Sequence, residues 1–135
     1  MAAAVATFTQ AVTAPAKAHD NTQTIDHIFG TIAVSASPAT YTAGGIALTL
    51  AGFDGIKSGY APFRSRIDSQ VAAGSGATAL YVYHFLPGTT LANGKLQIFT
   101  GAAAQSGLTE LTDGASIPAG VSGDSIVAEF LFARL

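Results

Sequence analysis

From Ser125 to Leu135 the chain sets Ile126, Ala128, Phe130 and Phe132 on one side of an extended segment and Val127, Glu129, Leu131 and Ala133 on the other. Period two is what a β-strand with one face in a core requires, because successive Cβ atoms point to opposite faces. The same period recurs upstream, where Phe63, Ser65, Ile67, Ser69 and Val71 alternate with Arg64, Arg66, Asp68 and Gln70. Leu80-Tyr-Val-Tyr-His-Phe-Leu86 is rich in the aromatic and β-branched residues that suit a pleated surface. Helical periodicity is almost absent. Turn residues separate the runs at Ser35–Pro38, Gly44-Gly45, Asp54-Gly55, Ser58-Gly59, Pro87-Gly88, Asn93-Gly94 and Asp113-Gly114. This punctuation predicts about seven or eight short strands. The expected fold class is all-β, an antiparallel β-sandwich or barrel, with a jelly roll among its main arrangements. No fixed internal period is evident, which argues against solenoids and propellers.

At 135 residues the chain fits one domain and can bury a sizeable core without disulfides. Its first residues stand apart. Val5 to Thr13 is extended and β-competent, Pro15 ends it, and His19 to Thr24 forms a polar break. We therefore expect an N-terminal arm over residues 1–24 and a β-sandwich domain over 25–135, whose first main strand is Ile28 to Val34. A nearly charge-free extended arm can add a strand to a neighbour's sheet edge, with main-chain hydrogen bonds supplying the affinity. In that case Val5, Phe8 and Val12 are its partner-binding side chains. Equally, Val5 to Thr13 can be the first edge strand of its own sandwich.

Charge constrains function more than motif does. Only 10% of residues are charged and 49% are hydrophobic, against about a quarter charged in ordinary soluble domains. A monomer with so few ionised groups has little with which to solvate its surface, so part of that surface is expected to lie against partners. A mild surface of Ala, Gly, Thr and Ser is the plainer explanation. A net charge of −2 and a pI near 5.8 give no electrostatic footprint for nucleic acid. The absence of cysteine removes thiolate nucleophiles, zinc ribbons and redox motifs. Ile28 to Phe53 is uncharged and long enough to cross a bilayer, but its Ser, Pro, Thr and Gly-Gly content reads as strands and turns. Met1 to Ala18 lacks the basic start of a signal peptide and is expected to belong to the mature protein.

No catalytic, cofactor-binding or metal site is expected. Gly74-Ser-Gly-Ala-Thr-Ala79 spells a dinucleotide fingerprint, yet that chemistry needs a helix after the loop, and Leu80 to Leu86 is strand-like. His19, Asp20, Asp26 and His27 match no zinc or calcium spacing and read as a solvated hinge. His84, within an aromatic strand, reads as a packed or interface histidine. The eight carboxylates permit an acid/base pair in number alone. None falls in a recognisable constellation, and Asp54, Asp113 and Asp124 sit at turns. Arg64 and Arg66 share a strand face with Asp68, a stripe that can meet a phosphate or an acidic partner, or simply be a solvated edge.

Tyr41-Thr-Ala-Gly-Gly-Ile-Ala-Leu48, Leu80-Tyr-Val-Tyr83, Glu110-Leu111 with Gly114, and Phe130-Leu-Phe-Ala-Arg134 together resemble the small head decoration (cement) proteins of tailed bacteriophages. The likeness covers residues 31–135 in style and order. It implies a jelly-roll or related sandwich, often a homotrimer, bound to the major capsid protein on the capsid exterior where capsomers meet. A terminal arm reaching neighbours, which would fit residues 1–24, is common in that family, and no catalytic residue, membrane or nucleic acid comes with it. From a different class, a carbohydrate-binding sandwich of a phage or bacterial adhesion protein remains open. It needs an exposed aromatic platform, which in a chain without Trp falls to Tyr41, Tyr60, Tyr81 and Tyr83.

Overall fold

A computed structural model describes residues 1–11, 25–52, 60–69, 80–101 and 107–133. Within them the chain forms strands β1 (Ala6–Gln10), β2 (Ile25–Val34), β3 (Ile46–Leu48), β4 (Arg64–Asp68), β5 (Leu80–Leu86), β6 (Gly94–Gly101), β7 (Thr109–Glu110) and β8 (Ile126–Ala133), with one helical turn, α1 (Ala119–Ser122), before β8. Two antiparallel sheets pack face to face. One runs β1-β2-β8-β4; the other runs β3-β6-β5, with β7 pairing the far end of β6. The protein is an antiparallel β-sandwich.

The faces follow from the alternation. Along β2, Ile28, Gly30, Ile32 and Val34 turn inward, and β8 matches them with Ile126, Ala128, Phe130 and Phe132. Their register brings Ile28 opposite Phe130 and Ile32 opposite Ile126. The facing sheet supplies Ile46, Leu48, Tyr83, Phe85, Leu96 and Ile98. Phe130 is the centre of this core: its ring meets Phe8 edge-on at 5.4 Å within its own sheet and Phe85 at 5.0 Å across the sandwich. Edge-to-face rings add about 0.5–1.5 kcal/mol to the gain from burial itself.

The N-terminal residues pair within their own domain. Ala6 to Gln10 pair in register with Val34 to Gly30, and Ala2 and Ala4 exchange backbone hydrogen bonds with Thr40 at 3.0 and 2.8 Å. Residues 2–10 are thus held by their own domain, the edge-strand alternative. Gly30 makes this docking possible. A Cβ there would lie 2.0 Å from the Thr9 carbonyl oxygen, so any side chain would push β1 off. Val12 and the rest of the expected arm fall outside the described residues.

β2 also starts earlier than expected, at Ile25 rather than Ile28. Asp26 and His27 therefore belong to a strand and not to a solvated hinge: Asp26 is buried on the inner face, while His27 points outward. The cause is continuity of period two, since Ile25, His27 and Phe29 prolong one face and Asp26 and Ile28 the other. His19 and Asp20 lie outside the described residues.

Candidate interaction surface

The outer face of the β1-β2-β8-β4 sheet carries the most unusual chemistry of the described surface. The register sets its side chains in rows. His27 lies beside Leu131 and then Arg64; Phe29 beside Glu129 and then Arg66; Thr31 beside Val127 and then Asp68. Three apolar residues on this face remain well exposed, Ile25 at 42%, Phe29 at 41% and Val127 at 37%. Single exposed hydrophobics are normal, whereas several on one sheet face mark a surface that gains by being covered.

Charged and polar side chains interleave with these residues, His27 between Ile25 and Phe29 along β2 and Glu129 opposite Phe29. His27 Nε2 lies 2.8 Å from Glu129 Oε1, with the Phe29 ring stacked obliquely 6.0 Å from the imidazole. Arg66 Nε donates to Asp68 Oδ2 at 2.7 Å. These contacts are well exposed to water and add little stability; they fix where charge stands on the face.

The expected partner-binding residues fall in different places. Val5 is exposed at one border of the sheet, its backbone exchanging hydrogen bonds with Ser35. Arg64 and Arg66 project outward from β4 at the opposite border. Three strand spacings separate those borders, about 14 Å. Phe8 is a correction: it is buried against Phe130, so its ring is not available to a partner in this fold. Sequence reasoning missed Ile25, Phe29 and Val127. The available signal was a strand with apolar residues on both faces, as at Ile28-Phe29 and Ile126-Val127, in a sheet with only one face in the core.

Two polar clusters elsewhere are structural. Asp124 Oδ2 accepts from the Tyr83 hydroxyl at 2.8 Å and from the Ser69 hydroxyl at 2.5 Å. It thereby ties the entry to β8 and the end of β4 to β5 of the other sheet, a role its position at a turn did not announce. His84, on the outer face of β5, has Nδ1 3.2 Å from Gln97 Oε1. Asp113 does serve a turn, accepting from the Ala43 amide at 2.9 Å. Among the described residues no three His, Asp or Glu side chains stand together as a metal site, and no helix is long and apolar enough to cross a membrane. The fingerprint letters Gly74–Ala79 lie outside the described residues, and the element directly after them is strand β5 rather than a helix.

The fold and surface thus define an all-β sandwich whose most distinctive feature is a partly apolar sheet face. A scan of protein-family models finds no match to the chain, and comparisons with curated proteins and with solved structures return none at a significant level.

Proposed function

We propose that this protein is a structural virion component that decorates the exterior of a phage capsid, binding the major capsid protein at capsomer junctions and stabilising the shell. The observation that carries this reading is the exposure of Ile25, Phe29 and Val127 on one sheet face, in a chain only 10% charged. The strand order β2-β8-β4 facing β3-β6-β5 fits a short jelly roll, the arrangement that the resemblance to cement proteins implies. Homotrimers engaging several capsomers at once would gain from effective concentration, so that modest contacts add up to a durable clamp.

The test is to mix the purified protein with undecorated heads. Saturable binding and heads more resistant to heat are expected. The double substitution Phe29→Ser with Val127→Ser should weaken binding at least tenfold while leaving the melting temperature nearly unchanged. Heads that bind nothing would end the proposal.

One observation favours a second reading. Tyr60 and Phe63 are both exposed, three positions apart, before β4, and exposed aromatic rings are what a carbohydrate-binding module stacks against sugars. Reproducible glycan-array signals that Tyr60→Ala removes would put this reading first.

A further inference from the structure

We infer that the outer face of the β1-β2-β8-β4 sheet seats an acidic, partly apolar protein surface, with a carboxylate of the partner on Arg64. This rests on the reading of that face as the contact surface and adds the chemistry of what it meets. Arg64 is exposed on β4, directly opposite Leu131 of β8, and Leu131 in turn lies opposite His27. Ile25 and Phe29 flank His27 along β2. The guanidinium therefore borders the apolar residues that gain by being covered.

The other ionisable groups of this face are matched among themselves. Glu129 lies 2.8 Å from His27, and Asp68 accepts from Arg66 at 2.7 Å. Among the described residues Arg64 has no acceptor. On the bare face, water satisfies its N–H donors. Covering the face removes that water, and a guanidinium shut away without an acceptor opposes binding strongly. A partner that fits must bring the acceptor, and a carboxylate matches the planar guanidinium bidentately.

A second copy of this chain is a poor source of that carboxylate. Asp26 is buried, Glu110 accepts from Tyr41 and Gly44, Asp113 from the Ala43 amide, and Asp124 from Tyr83 and Ser69. With Asp68 and Glu129 engaged as above, every described carboxylate is buried or already bonded within its own chain. The occupant is therefore a different protein. Lys95 provides a matched control, because it carries the same charge, exposed, on the outer face of the opposite sheet.

Two measurements test this. In magnetic resonance titrations of the full chain, phenylacetate, a carboxylate on an apolar ring, should shift the Arg64 Nε–H and Leu131 methyl signals. Phenylacetamide, similar in shape but uncharged, should shift them several-fold less. Equal shifts from the two, or none, would overturn the inference. In the head-binding assay Arg64→Glu should weaken binding at least tenfold, Arg64→Gln should weaken it less, and Lys95→Glu should leave it nearly unchanged. Melting temperatures of the variants check that each still folds. Heads that bind Arg64→Glu as tightly as the unaltered chain, or Lys95→Glu as weakly as Arg64→Glu, overturn the acidic contact while decoration stands. Self-association that Arg64→Glu abolishes would make a second copy the occupant and equally overturn it. Heads that bind no form of the protein end the decoration reading instead, and the phenylacetate titration, which needs no heads, still decides the chemistry of the face.

Discussion

The Tyr41 hydroxyl donates a 2.6 Å hydrogen bond to Oε1 of Glu110, 69 residues further along the chain. The phenol is buried at a seam, because β3 and β7 pair successive lengths of the same side of β6 and leave a gap between them. In that gap the Ile98 amide donates to the Tyr41 hydroxyl at 3.3 Å, so the side chain continues a ladder that no strand completes. Gly44, held at a φ of +84° that favours glycine, turns its amide onto the same carboxylate oxygen at 2.8 Å.

Removing the phenol oxygen should therefore cost more than one hydrogen bond. Tyr41→Phe leaves the buried Ile98 amide without its acceptor and Glu110 without its strongest donor, and an unsatisfied buried group costs about 1–3 kcal/mol. The denaturant midpoint should fall accordingly with an unchanged slope.

Stability should decline at both ends of the pH scale, for opposite reasons. The hydrogen bond from Tyr41, and then that from Gly44, hold Glu110 below its ordinary value of 4.5. The unfolded chain therefore takes up this proton first, and the contribution present above pH 4.5 is lost as pH falls through the lowered native value. Burial first, and then hydrogen bonding to a carboxylate, push Tyr41 and Tyr83 above their ordinary value of 10.0. Their contribution is intact below pH 10 and is lost as pH rises beyond it. Urea midpoints measured against pH should show both limbs. Glu110→Gln should flatten the acid limb, and Tyr83→Phe should flatten part of the alkaline one.

Phe130 joins three strands through two edge-on ring contacts. Phe130→Ala should cost about 3–5 kcal/mol, the lost transfer energy plus that of the cavity. Calorimetry should show a large fall in melting temperature. Val127→Ala, on the outer face of the same strand, should change stability by less than about 0.5 kcal/mol.

Gly30→Val should unseat β1 and spare the rest, because the added carbons collide with the Thr9 backbone. Hydrogen exchange is the measurement. Amides from Ala6 to Gln10 should lose protection while those of β5 and β6 keep theirs.

Strands and their faces were legible in the sequence because side-chain direction is set locally, residue by residue. The Ile126–Ala133 alternation and the Arg64–Asp68 stripe both stand as their periods predict, and Leu80–Leu86 matches its strand to the residue. The exposed face was less legible. Whether Phe29 or Ile28 points to the core depends on which side the other sheet occupies, and both are apolar.

By itself, then, the sequence determined an all-β chain of short strands with alternating faces and few ionised groups. Only the tertiary structure decided that β1 folds back onto β2, that Asp124 joins the two sheets, and that Tyr41 fills the seam between β3 and β7. Each of these depends on contacts between distant segments, whose partners are chosen by packing and by the need to satisfy buried polar groups. Local periodicity carries no record of that choice.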